Sequence, residues 1–109
     1  MAEAGRDARV VLTTAGSPDE AGRLGRTLVE EGLAACATLI PAVQSIYKWE
    51  GKVEAAMEVL LLLKTFEGKV EALEARLHAL HSYQTPEFLV LRVEAGSSPY
   101  LDWMRATAG

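Results

Sequence analysis

The chain has 109 residues, half of them hydrophobic, and a formal net charge of −4. This length predicts one domain with enough apolar surface for a core, and the acidic balance argues against nucleic acids and anionic membranes as partners. The longest mostly apolar stretch, residues 33–43, is interrupted by Thr38 and Pro41 and is too short to span a bilayer. Cys36 is the only cysteine, which excludes an internal disulfide and predicts a reducing, cytoplasmic location.

The N-terminal segment, residues 1–8, is small and polar with mixed charge and lacks an apolar signal core. We expect it to be a disordered tail. A single domain is then predicted over residues 9–109. It begins with a β-branched strand at residues 9–14, centred on Val10-Val11-Leu12.

A first helix is predicted from its terminal residues. Ser17 is a suitable N-cap, Pro18 occupies the first helical position and Glu20 completes a capping box. Gly32 supplies the expected helix stop.

A long apolar hairpin is predicted over residues 34–65, turning at Glu50-Gly51. Each arm could reach ~40 Å if fully extended at about 3.3 Å per residue. A compact domain of this length has a radius of gyration of only roughly 13 Å, so the arms must bend, project or pair with another subunit. Pro41 removes a hydrogen-bond donor, which predicts a sheet edge or a bulge there.

The remainder of the chain predicts a second helix, a fourth strand over residues 88–94 and a short last helix that starts at Ser98-Pro99. Val70, Leu73, Leu77 and Leu80 lie at helical spacing in the second helix. The order of elements predicts an α+β fold, a ferredoxin-like β-α-β-β-α-β sandwich with an extra C-terminal helix.

The third predicted strand is apolar on both faces. Val59, Leu61 and Leu63 alternate with Leu60 and Leu62. Two helices can cover only one face of the sheet. The other face would drive association through its exposed apolar area, so we expect a sheet from another subunit to cover it.

Several segments distributed over residues 10–105 share a familiar order and spacing: Ala34-Ala35-Cys36, Pro41, Ser45-Ile46-Tyr47-Lys48-Trp49-Glu50-Gly51, Glu58, Leu63-Lys64-Thr65, His81-Ser82-Tyr83-Gln84-Thr85-Pro86-Glu87 and Tyr100-Leu101-Asp102-Trp103. Together they resemble the CutA divalent-cation-tolerance family. The resemblance implies a cytoplasmic homotrimer of ferredoxin-like subunits, related in architecture to the P-II nitrogen-signalling trimers. It also implies a role in tolerance of copper and other divalent cations. The sequence contains no serine elbow and no evident Cys-His pairing, so we expect a non-enzymatic protein with no required cofactor.

Two alternative functions remain open at this point. The first is a P-II-like signalling module that binds a small ligand at the subunit clefts, although the tight Glu50-Gly51 turn leaves no extended loop there. The second is an enzyme that uses Lys64, Tyr83 and Glu87 as a cluster at the interface.

The candidate metal ligands are His78 and His81, three residues apart near the end of the second helix, with Glu74 one turn earlier. The alternative is that these histidines are ordinary residues that suit the helix dipole. In the resembling family, proposed copper holders carry a cysteine in the first strand and a histidine pair before the Tyr-x-x-Pro-Glu segment. Here Thr13 and Leu80 stand at those positions, so any copper binding is expected to be weak and centred on His81, with help from His78.

A set of polar and aromatic residues outside the core is predicted to form either an interfacial ligand pocket or trimer contacts: Tyr47, Trp49, Glu58, Lys64, Tyr83, Glu87 and Trp103. Glu58 and Lys64 lie about 20 Å apart along one strand and cannot pair with each other. Cys36 is predicted to be a buried structural thiol.

Overall fold

The computed structural model describes residues 2–108. None of the helices in this range has the length and apolar character needed to cross a bilayer. The elements in chain order are β1 (Ala2–Ala4), β2 (Ala8–Ala15), α1 (Pro18–Glu30), β3 (Cys36–Trp49), β4 (Lys52–Phe66), α2 (Glu67–Leu80), β5 (Leu89–Arg92), β6 (Ala95–Ser97) and α3 (Ser98–Ala108).

The main sheet has the antiparallel strand order β3-β4-β2-β5. Leu24 and Leu28 of α1 and Leu73 and Leu77 of α2 pack on one face of this sheet, where they bury Leu61 and other β2 and β4 side chains. The predicted ferredoxin-like fold is confirmed. Helix α1 connects β2 to β3 and helix α2 connects β4 to β5, and both helices lie on the same side of the sheet.

The N-terminal residues form structure, so the prediction of a disordered tail is wrong for residues 2–8, whereas Met1 lies outside the described residues. β1 pairs with β6 in an antiparallel ladder from Ala2 with Ser97 to Ala4 with Ala95. Gly5 then donates its N–H to Glu94 O at 2.8 Å. A Cβ at Gly5 would lie 1.7 Å from Val93 O, so glycine permits this close approach.

The β3-β4 hairpin gives the chain an elongated form, with a length of 46 Å against 25 and 22 Å in the other directions. Strands β3 and β4 pair from Cys36 with Lys64 to Trp49 with Lys52, with one register shift along the way. The connecting residues Glu50 and Gly51 have φ of 50° and 81°, which fits the type I′ turn preferred in two-residue hairpins. The hairpin therefore projects, which is one of the three outcomes that its length left open.

The register shift lies between Ile40 and Val43, where β3 advances three residues while β4 advances two. This bulge contains Pro41 and Ala42, whose φ is 58°. The bulge was predicted from the proline, and β3 also lies at the sheet edge. Because one extra residue reverses the alternation of side chains, Tyr47 of β3 faces the same side as Glu58 of β4.

The sheet face opposite α1 and α2, here called the open face, is apolar and largely uncovered. Leu12 lies between Leu62 of β4 and Leu89 of β5 on this face. Leu62 is half-buried, and Leu89 is 55% exposed. By contrast, Leu61 on the helix-covered face is fully buried.

Helix α3 covers only one end of the open face. Its Leu101 and Met104 form a second small core with Ala8 and Phe66, which are paired across β2 and β4. A helix this short needs such docking to be stable, and the centre of the open face stays exposed within the protomer.

Candidate functional site

An open groove of about 640 Å³ lies between the hairpin and the loop that follows α2. Two aromatic residues of β3 and two residues of β4 line it on the hairpin side. The other lining residues are one residue near the end of β2 and residues 83–87 of the loop. The lining residues are Thr14, Tyr47, Trp49, Ala56, Glu58, Tyr83, Gln84, Thr85, Pro86 and Glu87.

The groove is held in shape by a hydrogen bond between the loop and the hairpin. The Tyr83 hydroxyl donates to Glu58 Oε2 at 2.8 Å. Burial, followed by this bond and the nearby carboxylate charge, raises the pKa of Tyr83 to about 12. Tyr83 is therefore a protonated donor across the physiological pH range, and Glu58 is its acceptor.

His81 fixes the start of the loop. Its side chain is fully buried, its Nδ1 accepts the Tyr83 backbone N–H at 3.0 Å, and its Nε2 lies 2.7 Å from Thr14 O. Since a carbonyl can only accept, we assign the neutral tautomer with the proton on Nε2. Both ring nitrogens are thus engaged in binding the loop to the end of β2.

Glu20 binds the same loop from the first turn of α1. Its carboxylate accepts from Ser82 N at 2.8 Å and from Ser82 Oγ at 2.9 Å, and it lies 3.7 Å from His81 Nδ1. Burial alone would raise the pKa of Glu20, but the hydrogen bonds from Ser82 outweigh it, and the pKa is lowered.

These contacts correct the predicted capping box. Ser17 Oγ does accept from Glu20 N at 3.2 Å, but the Glu20 carboxylate is bonded to Ser82 instead of returning to the cap. The structural role of Glu20 was missed from the sequence. The signal was its position four residues before Leu24 and eight before Leu28, on the buried face of α1.

The predicted polar and aromatic set divides into two places. Tyr47, Trp49, Glu58, Tyr83 and Glu87 line the groove. The other two members, Lys64 and Trp103, lie at the α3 end of the open face.

Lys64 has a separate set of partners. Its Nζ lies 3.3 Å from Tyr100 Oη, 3.4 Å from Thr38 Oγ1 and 3.9 Å from Cys36 Sγ. Desolvation acts to lower the pKa of Lys64, but the bonds to Tyr100 and Cys36 prevail and the pKa is raised. Trp103 packs on the same Tyr100 ring, with centroids 5.4 Å apart.

This arrangement has two consequences for the predictions. The cluster of Lys64, Tyr83 and Glu87 does not form within one protomer, so the arrangement on which the enzyme alternative depended is missing there. Cys36, predicted to be buried, is partly exposed, because it lies on the open face of an edge strand.

The two predicted metal ligands are in different surroundings. His78 is exposed on α2, whereas His81 is buried with both ring nitrogens bonded. Among residues 2–108, no three His, Cys, Asp or Glu side chains form a group that could hold a metal ion. A copper ion at His81 would have to displace the bond to Tyr83 or the bond to Thr14, and copper binding there stays a prediction.

Comparisons with known proteins agree over nearly the whole chain. The family model of the CutA1 divalent ion tolerance protein matches residues 9–107. The divalent-cation tolerance protein CutA of Pectobacterium atrosepticum is 46% identical over 101 residues, which are 93% of this chain and 92% of that protein. Its counterpart in Thermus thermophilus is 43% identical over 100 residues, or 92% and 97% of the two chains.

The fold agrees equally well with solved structures. CutA from Synechococcus elongatus matches with a TM-score of 0.96 at 37% identity, covering 100% of this chain and 96% of that one. Sequence and structure therefore both confirm the resemblance, and the chain belongs to the CutA1 divalent ion tolerance protein family.

Proposed function

We propose that this divalent-cation tolerance protein acts as a homotrimer and without a catalytic step. The observation that carries the proposal is the uncovered open face, on which Leu12, Leu62 and Leu89 form one apolar row. Each Å² of apolar surface removed from water contributes about 25 cal/mol. Burial of this face by a neighbouring subunit would therefore favour association.

The projecting hairpin supports the same proposal. Ile46, Val53 and Met57 near its tip are each more than half exposed, and they share the face opposite the groove because of the register of β3 and β4. These side chains extend past the core of their own protomer. A neighbouring subunit is the simplest cover for them, and three hairpins arranged about an axis can each cover the next.

The oligomeric state is tested by light scattering after size-exclusion chromatography of the full chain. We expect the mass of a trimer at micromolar concentration. A monodisperse monomer would overturn association through the open face, and a stable dimer would overturn the trimeric arrangement.

For the metal ion, we propose weak copper binding centred on His81 with help from His78. Weak affinity is expected because the ion must displace an existing hydrogen bond of His81 and because tight sites use three or four converging donors. Calorimetric titration of copper into the wild type, His81→Ala and His78→Ala tests this proposal. Nanomolar affinity would contradict weak binding, and identical isotherms for wild type and His81→Ala would remove His81 from the site.

A second candidate function is the binding of a small ligand, as in a P-II-like module. The groove of about 640 Å³ favours it, because a cavity of this size fits a small molecule. Its walls come from a hairpin and a loop that Tyr83 joins to Glu58. NMR titrations with small organic probes that follow the indole N–H signal of Trp49, which lines the groove, test this function.

We also propose a cytoplasmic location. It is supported by the partly exposed free thiol of Cys36, which is typical of a reducing compartment. Fractionation of cells that express the tagged chain tests the location, and recovery in an oxidising compartment would contradict it.

A further inference from the structure

The groove described above is lined by charges of one sign. Glu58 and Glu87 contribute carboxylates, and the described lining contains no Lys, Arg or His. Tyr83 bonds only Oε2 of Glu58, so Oε1 can still accept a hydrogen bond. The local electrostatic field therefore favours a cation and disfavours phosphates and carboxylates.

The groove also presents aromatic rings beside these carboxylates. Tyr47 is 45% exposed and Trp49 is 63% exposed, and both line the groove. The bulge at Ala42 places them on this side of the hairpin, since the shift of register at that point sets which face they occupy. Aromatic faces attract alkylated ammonium groups, with tryptophan the strongest of them.

The size of the groove and its set of donor atoms favour an organic cation over a metal ion as the ligand. Two carboxylates are too few for a closed metal site, and no three-ligand group is found among residues 2–108. A space of about 640 Å³ is also far larger than a metal ion needs. A polyatomic cation can contact carboxylates and rings together.

We propose that the groove binds a small organic cation, an alkylammonium or protonated amine, through Glu58 and Glu87 and the rings of Tyr47 and Trp49. This inference rests on the small-ligand function proposed above and names the chemical class of that ligand. It requires no metal ion and no chemical step.

The experiment compares choline with 3,3-dimethyl-1-butanol, which has the same shape without the charge. Calorimetry on the full chain measures both affinities, and NMR follows the two indole N–H signals. We expect choline to bind at least about fivefold more tightly than the neutral alcohol. We also expect choline to shift the Trp49 signal and leave Trp103 unmoved, because Trp103 packs on Tyr100 outside the groove.

Matched variants test whether the carboxylate charges of the groove bind the cation. Glu58→Gln keeps an acceptor for Tyr83 while it removes the charge, and Glu87→Gln removes the second one. Glu74→Gln makes the same change on an exposed part of α2. We expect about fivefold weaker choline binding in both groove variants and wild-type affinity in Glu74→Gln.

The outcomes separate this inference from the proposals on which it rests. Equal affinity for choline and the neutral alcohol, or unchanged choline binding in both groove variants, would overturn the proposal that the ligand is a cation. Either result would leave the small-ligand function standing. If neither probe moves the Trp49 signal, the small-ligand function fails as well. Light scattering on each variant reports the trimer independently, and Glu87→Gln keeps the test decisive if Glu58→Gln fails to assemble.

Discussion

The hydroxyl of Tyr83 donates a 2.8 Å hydrogen bond to the carboxylate of Glu58 and so joins two elements that lie 25 residues apart in the chain. Gly16 leaves room for this hydroxyl, since a Cβ there would lie 3.1 Å from the Tyr83 oxygen. The bond closes one side of the groove. It therefore relates the stability of the loop to the shape of the candidate site.

Removal of this hydroxyl is expected to weaken the fold. Tyr83→Phe should lower the free energy of unfolding by about 1.5–3 kcal/mol, because a hydrogen bond to a carboxylate is lost. Urea denaturation of the single variants Tyr83→Phe and Glu58→Ala and of the double variant gives the coupling energy. Strictly additive effects of the two changes would contradict an interaction between the two side chains.

The same bond predicts a stability change in alkali. Burial and the Glu58 bond raise the pKa of Tyr83 from 10.0 to about 12. The contribution of Tyr83 to stability is therefore complete below pH 10 and is lost as the pH rises towards 12. Ultraviolet difference titration should show one phenol that ionises near this upper value, and that phenol should be missing in Tyr83→Phe. Ionisation of every phenol near its ordinary pKa would contradict the assignment.

The two faces of β4 are expected to respond differently to a charge. Leu61→Asp should prevent folding, because Leu61 is fully buried under the helices and an unpaired buried carboxylate costs several kcal/mol. Leu62→Asp should yield a folded protomer that does not assemble, because Leu62 lies on the open face. Circular dichroism with light scattering separates the results. A trimeric Leu62→Asp with an unchanged melting temperature would contradict burial of this face by a neighbour.

Two fully buried threonines, Thr13 and Thr65, allow a second comparison of matched substitutions. Thr13 Oγ1 has no hydrogen-bond partner among residues 2–108, so Thr13→Val should stabilise the fold by about 1 kcal/mol. Thr65 Oγ1 donates to Leu33 O at 2.7 Å, so Thr65→Val should destabilise it by about 1–2 kcal/mol. Chemical denaturation measures both changes, and effects of the same sign and size would contradict this difference in bonding.

The hairpin turn offers a stabilising substitution. Glu50 has φ of 50°, a conformation that asparagine tolerates better than glutamate, and Asn-Gly is the preferred type I′ pair. Glu50→Asn should raise the free energy of unfolding by about 1 kcal/mol. Glu54→Asn, in the regular part of β4, is the control and should give no gain. A gain in the control equal to that of Glu50→Asn would contradict an effect of the turn.

Most of the elements could be predicted from the sequence because their signals are local. Ser17 and Pro18 begin α1 as expected, and Gly32 ends it with φ of 73°. Glu50 and Gly51 form the predicted turn. In each case the conformation depends on residues within one turn of the backbone, so neighbouring side chains determine it.

The apolar pattern also predicted a long-range property. Val59, Leu61 and Leu63 alternate with Leu60 and Leu62, and the first three are buried while the other two lie on the open face. Alternation along a strand assigns side chains to faces without knowledge of the rest of the fold. A sheet that is apolar on both faces could therefore be inferred before any contact was known.

Other features were decided only by tertiary structure. The pairing of Ala2 with Ser97 depends on how the two ends of the chain meet, and no local pattern in residues 1–8 signals it. The burial of His81 depends on Thr14 and Glu20, which are distant in sequence.

The candidate site shows the same division. The sequence identified Glu58, Tyr83 and Lys64 as one set, but the strand places Lys64 beside Tyr100 and leaves the other two at the groove. Residue types and their spacing determine which side chains are available and which face they share. Their grouping depends on how strands and loops from distant parts of the chain come together, and only packing of the whole chain determines that.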